Sequence, residues 1–470
     1  MYSFVLLACI SFLFALLLTP LIRNAALARG LVDWPDDKRH LHAHSIPRVG
    51  GVAIVIAYLA AVTLVLVSPL QAAKFIGIGI PLAVKILPTA LLVFAAGLAD
   101  DVRGLKPWQK LAAQLAAAGL AFWAGIRITG IVGFPLPLWL SVLLTVIWLM
   151  GCSNAFNLID GVDGLAAGAG LFATVTILLG GLLNNNMSLA LATAPLAGAL
   201  LGFLRYNFNP ASIFLGDCGS LLVGFLLGCF GVVWSQKSTT LLGMTAPMMA
   251  LAIPLLDTAL AVGRRLLHQQ PIFDGDRGHI HHRLLDRGLT PRRVALLLYG
   301  ACGIAACLAL LQDAFHNSFG GLIIVTFCAA AWLGVQHLGY TEFGLAGRLF
   351  IEGAFRRHLT NQIALKAFED SLRKARTPED CWLVIREAAR EFGFVQLEVC
   401  LEGRVRSETL AETNGEATWS TDVPLEGGDY VKLSRPFNVS FHPTVLSPFA
   451  DALRKTLFRR RPISAPSAKA

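Results

Sequence analysis

Charge is scarce in this chain. Asp, Glu, Lys and Arg make up 15% of its 470 residues, hydrophobic residues make up 55%, and the mean hydropathy is +0.63. Soluble domains carry about 25% charge, so the shortfall excludes an ordinary soluble protein and indicates a polytopic membrane protein. Cysteine pairing motifs are also missing. The nine cysteines show no CxxC or other metal-type spacing, and Cys152, Cys229, Cys302, Cys307 and Cys328 lie in apolar stretches. They read as small apolar packing residues, not as disulfides or zinc ligands. No small-residue cleavage site follows the first apolar run, residues 5–22, which ends at Arg23. The expectation is an uncleaved first span instead of a signal peptide. The net charge of +9 does not indicate nucleic-acid binding, because Lys and Arg in such a chain set topology and meet anionic headgroups.

What is present is a series of apolar windows near 2–22, 49–69, 82–99, 110–126, 138–156, 162–183, 188–205, 218–235, 243–263, 293–312 and 318–338. They predict an all-α polytopic fold of about eleven spans, at ~20 residues per crossing. Basic residues cluster in alternate loops. One set holds Arg23, Arg29, Lys38, Arg39, Arg48, Arg103, Lys106, Lys110, Arg205 and the arginines from Arg264 to Arg293; the other holds only Lys74, Lys85, Arg127 and Lys237. The positive-inside rule puts the first set in the cytoplasm, with the N-terminus outside and the C-terminus inside.

Composition changes after Tyr340, which predicts two domains: a membrane domain over 1–340 and a cytoplasmic α/β module over 341–470. Residues 365–376 and 378–392 read as amphipathic helices, the second with Thr377 as N-cap and Pro378 at N1. Residues 395–401 and 430–433 alternate as strands, with turn signals at Asn414-Gly415 and Gly427-Gly428. A last helix near 448–458 runs into Arg459-Arg460-Arg461 and a Pro/Ser/Ala tail expected to be disordered. The order of elements is similar to a reduced GAF-type domain.

Acidic residues are few, yet they gather at the ends of the apolar windows, all on the predicted cytoplasmic side. Carboxylates beside hydrocarbon are costly, so each is a functional candidate. Asp100 and Asp101 end the third window, with Lys110 about two and a half turns on. Adjacent helical residues point in different directions, so the two acids need not share a role: one could orient a cation while the other takes a proton. Acids at a helix C-terminus also oppose the macrodipole, which argues against simple capping. In NAFNLIDGVDGLAAG, Asn154, Asn157, Asp160 and Asp163 recur every three residues along one slowly drifting helix face, a pattern for a ligand or metal site. In FLGDCGS, Asp217 is either an N-cap or part of a glycine-flanked phosphate cradle. Arg48, before Gly50-Gly51, is a ligand-facing candidate. His279, His281, His282 and Arg283 follow the Asp274/Asp276 loop; with no cysteine near and no i, i+4 pair, they suit diphosphate or sugar better than zinc.

Taken together, DWPDDKRHLHAHSIPRVGG, GLADDVRGLKPWQK, NAFNLIDGVDGLAAG, FLGDCGS and DGDRGHIHHRLL resemble, in family order, the polyprenyl-phosphate N-acetylhexosamine-1-phosphate transferases, which include phospho-MurNAc-pentapeptide translocase. The likeness covers roughly residues 1–340. It implies a Mg²⁺ enzyme (Mn²⁺ being the alternative ion) of the cytoplasmic membrane, with its site on the cytoplasmic face. Such an enzyme moves a sugar-1-phosphate from a UDP-sugar to a polyprenyl phosphate and releases UMP. By the same likeness, Asn157 and Asp217 match metal ligands, Lys110 the residue that meets the acceptor phosphate, and Asp100 and Asp101 the essential acid pair. Asp160 and Asp163 match nucleotide-side acids, while His279, His281, His282 and Arg283 match the sugar- and diphosphate-binding loop; Arg48 and Asn154 are further substrate-side candidates. Ile280 within HIHHR is similar to the N-acetylglucosamine branch, making UDP-GlcNAc the expected donor and undecaprenyl phosphate the acceptor. A homodimer and an unidentified partner for the C-terminal module complete the expected associations.

Two other classes compete. A transporter would place acids near the bilayer midplane and show inverted repeats between its halves; here the acids sit at window ends and no repeat is visible. A membrane-anchored sensor acting through its tail would leave the ordered acidic motifs without a purpose.

Overall fold

The computed structural model describes residues 2–33, 45–68, 73, 75, 77–131, 134–237, 244–267, 270, 278–315, 320–340, 354–411, 417–425, 428–436 and 449–454. The stretch 34–44 of the first loop, Lys74, the Asp274/Asp276 loop with Arg277, the turn residues Asn414, Gly415 and Gly427, and the chain from 455 onward lie outside the described residues. The chain divides into two compact units, Met1–Glu342 and Phe343–Ala470.

In the first unit the long helices are α1 (Tyr2–Ala28), α2 (Gly50–Val67), α3 (Ile80–Arg103), α4 (Pro107–Trp123), α5 (Leu138–Ile159), α6 (Leu165–Leu183), α7 (Met187–Asn207) and α8 (Gly216–Lys237). They are followed by α9 (Thr245–Ala250), α10 (Ala252–Leu267), α11 (Ile280–Asp286), α12 (Pro291–Ala314) and α13 (Gly320–His337). Nine of these are long and apolar enough to cross a membrane among the described residues, so the chain is a multi-pass membrane protein.

Two of the eleven expected spans differ. The helix at 110–126 is α4, with 17 residues; at 1.5 Å per residue this reaches about 25 Å, short of a hydrocarbon core of about 30 Å. The window 243–263 is broken at Leu251 into α9 and α10. Pro254 explains the break: it has no N–H for the Ala250 carbonyl, and its ring crowds that carbonyl. The chain nevertheless stays hydrogen-bonded across the interruption, from Leu251 N to Pro247 O at 3.1 Å and from Leu255 N to Leu251 O at 3.2 Å.

Helix α8 is the hub. Its spanning window is 94% buried, whereas that of α13 is 11% buried. Small residues permit this centrality, because close helix approach in a membrane depends on backbones meeting without side chains between them. A Cβ on Gly97 of α3 would lie 2.5 Å from the Asp217 carbonyl oxygen, and one on Gly51 of α2 would overlap the Gly219 backbone. Hydrogen bonds between helices add to the packing: Ser153 Oγ donates to Leu221 O at 2.9 Å and Trp148 Nε1 to Gly228 O at 2.9 Å, both joining α5 to α8.

Two short ladders lie between helices, β1 (Val32–Asp33) with β2 (Ile46–Pro47), and β3 (Gly130–Ile131) with β4 (Phe134–Pro135). Beyond β2 the chain continues against the entry to α8. Phe214 N donates to Pro47 O at 2.8 Å, Gly50 N to Phe214 O at 2.9 Å and Gly51 N to Leu215 O at 2.9 Å. This backbone seam brings Arg48 alongside Asp217.

The second unit contains α14 (Ala354–Lys374), α15 (Pro378–Glu391), and a four-stranded antiparallel sheet of β5 (Gln396–Leu401), β6 (Arg404–Thr409), β7 (Thr418–Pro424) and β8 (Tyr430–Pro436) in the order β6-β5-β8-β7. The predicted cap on α15 is present as a capping box: Asp380 N donates to Thr377 Oγ1 at 3.1 Å and Thr377 N to Asp380 Oδ2 at 2.9 Å. The sheet has twice the two strands expected. Strand β6 lacks the apolar alternation that marks a half-buried strand, since it is exposed along nearly its whole length; its partner β5 and the Glu402-Gly403 turn, both residues at positive φ, set its register instead. Helical and sheet residues share one core, in which Phe368 stacks on Phe449 at 4.7 Å.

Candidate active site

Four helix ends and one loop deliver the acidic motifs to a common place: the C-terminal ends of α3 and α5, the N-terminal ends of α4 and α8, and Arg48 before α2. At the centre is the Lys110 ammonium, which donates to Asp217 Oδ2 at 2.8 Å and to Asp100 Oδ2 at 2.9 Å. All three side chains are largely buried, where charge-assisted bonds strengthen but unpaired charge would be costly. Two carboxylates are thus held together by one cation. Arg48 adds a second positive charge 3.9 Å from Asp217 Oδ1.

The adjacent acids Asp100 and Asp101 have separate tasks. Asp100 Oδ1 accepts from Leu105 N at 2.5 Å, which shapes the turn into α4 and presents Lys110. Asp101 accepts from Asp217 N at 2.9 Å and from Cys218 N at 2.9 Å. It therefore caps α8 from another helix, satisfying two of the orphan amides at the positive end of the helix dipole. Gly216 makes this possible: its φ of +72° turns the chain into α8, and a Cβ there would overlap the Arg48 carbonyl oxygen. Sequence reasoning judged the pair poor caps of their own helix, and the helix that Asp101 caps is a different one.

The three-residue rhythm of α5 also separates into different environments. Asn157 Nδ2 donates to Asp217 Oδ1 and to Ser220 Oγ, both at 3.0 Å. Asn154, one turn earlier, instead exchanges hydrogen bonds with Gln114, donating to Gln114 Oε1 at 2.6 Å. Gln114 is one turn beyond Lys110 on α4, so this pair fixes the helix that carries the central cation. Asp160 ends α5, and its carboxylate accepts no hydrogen bond among the described residues. Burial, then the Asp217 and Asp101 charges, push its carboxyl well above the usual range, and Arg48 offsets part of this. Asp163 turns the other way and holds the chain beyond α7, accepting from Asn209 Nδ2 at 2.9 Å and Ala211 N at 3.0 Å.

The histidine motif joins this assembly through Gly161. His281 Nε2 is buried with no hydrogen-bond partner among the described residues, and a Cβ on Gly161 would lie 2.9 Å from it. Burial and the neighbouring His282 lower its pKa to about 3, so it is a neutral imidazole at physiological pH. The ring of His282 is 4.3 Å from that of His281. Arg283 is directed elsewhere: its guanidinium stacks 3.8 Å over Tyr340 and donates to Gly339 O at 2.8 Å. His279 is bonded to Asp257, whose Oδ2 is 2.9 Å from His279 Nδ1.

Asp257, Gln114, Ser220 and Tyr340 belong to this network, and sequence reasoning passed over all four. A signal for Asp257 was available, as an isolated acid within an apolar run is itself a candidate. Ser220 lay within FLGDCGS, but only Asp217 was singled out there; Gln114 and Tyr340 carried no signal, because nothing in their local sequence separates them from ordinary packing residues.

Asp217, Asn157 and Ser220 are the side chains here with oxygens that a hard divalent cation could use; Asn157 turns its Nδ2 toward Asp217 and Ser220, so its carboxamide would have to flip to present its oxygen. Among the described residues no three His, Cys, Asp or Glu side chains form a closed cage.

Residues 83–235 match the glycosyl transferase family 4 model. The chain is similar to a probable undecaprenyl-phosphate N-acetylglucosaminyl 1-phosphate transferase of Bacillus subtilis, 34% identical over 298 residues that cover 62% of this chain and 79% of the relative. It is 35% identical to a decaprenyl-phosphate N-acetylglucosaminephosphotransferase of Mycolicibacterium smegmatis, over 61% of this chain and 76% of the relative. A phospho-N-acetylmuramoyl-pentapeptide-transferase of Streptococcus pyogenes is 29% identical over 58% of this chain and 87% of its own length. With the likeness running across the helices that build the acid–lysine cluster, the chain belongs to the polyprenyl-phosphate N-acetylhexosamine-1-phosphate transferase family.

Proposed function

We propose that this protein transfers GlcNAc-1-phosphate, or a related N-acetylhexosamine-1-phosphate, from its UDP-sugar to undecaprenyl phosphate. The products are UMP and the lipid-diphosphate-sugar that starts a cell-envelope polysaccharide. The observation that carries this reading is the Lys110 ammonium bridging Asp100 and Asp217 at 2.9 and 2.8 Å. The reaction must bring a phosphate monoester against a diphosphate, so its main obstacle is like charge, and a fixed cation beside the reacting groups lowers it.

In this reading an oxygen of the lipid phosphate attacks the sugar-bearing phosphorus of the donor. The bond from that phosphorus to the oxygen shared with UMP breaks, and UMP leaves with the electron pair. Lys110 steadies the acceptor phosphate and Arg48 adds positive charge on the same side. Asp101 holds the α8 terminus so that Asp217 stays in place. Asp100 is engaged by Lys110 and Leu105 N, which favours positioning over proton abstraction; the lipid phosphate is already largely ionised at neutral pH. Asp217 and Asn157 would hold Mg²⁺, or Mn²⁺ in its place, which when bound supplies charge neutralisation to the diphosphate. The basic-loop asymmetry supports a cytoplasmic orientation for this face, in a protein of the cytoplasmic membrane.

The test is UMP release by purified full-length protein in nanodiscs with undecaprenyl phosphate, Mg²⁺ and a panel of UDP-N-acetylhexosamines that includes UDP-MurNAc-pentapeptide. Turnover with UDP-GlcNAc is expected. Silence across the whole panel would sink the reading, and preference for the pentapeptide donor would move the chain to the other branch.

A further inference from the structure

The histidine motif is held from α10. Asp257 and Arg264 are seven residues apart on that helix, about two turns, so they lie on one face. Both are buried, at 1% and 8% exposure. Asp257 uses both oxygens on the motif: Oδ2 pairs with His279 Nδ1 at 2.9 Å, and Oδ1 accepts from Ile280 N at 2.7 Å. Arg264 Nη1 donates to Gly278 O at 2.8 Å, and its guanidinium is packed so closely on Gly278 that a Cβ there would overlap it. The Tyr340 hydroxyl donates to the same carbonyl at 3.0 Å. Three consecutive residues, 278 to 280, are thus gripped where the chain enters α11.

A carboxylate on Nδ1 fixes both the tautomer and the orientation of an imidazole. In a neutral His279 this contact would put the ring proton on Nδ1 and leave Nε2 with its lone pair. The same carboxylate ties down the first amide of α11, the short helix that carries His281 to Gly161. The rings of His279 and His281 are parallel within 4° at 5.5 Å, so the orientation of one constrains the other.

We propose that Asp257 is a positioning residue for the transfer reaction, fixing His279 with Nε2 as a hydrogen-bond acceptor for the hydroxyl or amide N–H groups of the donor sugar. This rests on the reading of the protein as a UDP-sugar transferase. Asp257→Asn tests it, because the amide oxygen can still accept from Ile280 N while its NH₂ faces His279 Nδ1. That arrangement moves the ring proton to Nε2 and reverses the polarity offered to the sugar.

The experiment combines kinetics and spectroscopy on full-length protein in nanodiscs. With Asp257→Asn, kcat/KM for UDP-GlcNAc is expected to fall about 10- to 100-fold, as for other residues that orient a functional histidine, with KM for undecaprenyl phosphate unchanged. Solid-state ¹⁵N spectra of histidine-labelled protein, assigned with His279→Gln, should show the proton on Nδ1 in the wild type and on Nε2 in Asp257→Asn. The wild-type spectrum tests the tautomer even if the variant does not fold, and a proton on Nε2 there overturns the proposal. So does an Asp257→Asn enzyme with wild-type donor kinetics, or one that loses donor and acceptor parameters equally together with thermal stability. Failure of the transferase reading would appear separately, as absence of UMP release by the wild type with every donor.

Discussion

The two units of this chain use charge in opposite ways. In the membrane unit Asp100, Asp101 and Asp217 are largely buried and satisfied by specific partners, namely Lys110, three backbone amides and Asn157. In the C-terminal unit the ion pairs lie toward the surface: Arg386 with Glu408 at 2.9 Å, Arg390 with Glu408 at 3.0 Å and Arg406 with Glu379 at 2.7 Å. Exposed pairs contribute about 0–1 kcal/mol each, so that unit rests on its apolar core. Buried charges in a membrane protein are costly and persist where they are used. The contrast supports placing the proposed chemistry in the first unit, while the described ion pairs of the second are of the kind that surfaces ordinarily carry.

The strongest way to break this contrast is Asp217→Ala. Turnover should fall about 10³-fold or more, the scale at which losing a preorganised charge stabiliser acts, while the protein stays folded in nanodiscs with a melting temperature lowered by the loss of a buried partner of Lys110. Retained UMP release would remove Asp217 from the site. Next in size is Lys110→Ala, expected to lower kcat/KM for undecaprenyl phosphate about 10²-fold; Lys110→Arg should recover part of it, and an unchanged acceptor KM in both would refute the acceptor role.

Asp101 and Asp100 sharpen the comparison inside the site. Asp101→Ala removes an α8 cap, costing about 1–2 kcal/mol of stability, and should weaken Mg²⁺ binding as read by calorimetry. Asp100→Ala should change the kinetics with a smaller thermal shift, so equal shifts would dissolve the distinction. Acid titration offers a further measurement on the membrane unit. His281 takes up a proton at about pH 3 when folded and near its usual value of about 6.5 when unfolded. The unfolded state binds more protons between those values, so stability should decline as pH drops through about 6.5 toward 3. A melting temperature that rises over that range for wild type relative to His281→Gln would contradict the buried neutral ring.

The smallest effect is expected in the C-terminal unit. Thr377→Ala breaks the capping box and should lower that unit's stability by about 1 kcal/mol, read by circular dichroism, with UMP release unchanged. Loss of turnover from a cap in the second unit would mean that this unit participates in the chemistry.

Much of this was legible in the residues alone. Apolar runs of spanning length located the helices because a membrane helix must satisfy its own backbone and face hydrocarbon. Of the two windows that differ, 110–126 forms a helix too short to cross, and 243–263 contains Pro247 and Pro254, which the proline rule applied locally would have flagged. In the second unit β6 escaped notice because it takes its register from a neighbour, a relation that no local pattern records.

The acidic motifs, their order and their scarcity among apolar residues were determined by the sequence itself, since a costly charge beside hydrocarbon stands out wherever the chain folds. Which atom each acid meets was decided only by the tertiary structure. Asp100 and Asp101 are neighbours in sequence, yet one holds Lys110 and the other caps a helix more than a hundred residues away. Asp257 and His279 belong to different elements and become a pair only when α10 and the entry to α11 pack together. Hydrogen bonds are set by distances of about 3 Å between groups, and in a folded chain those distances depend on how helices cross, which spacing along one helix cannot specify.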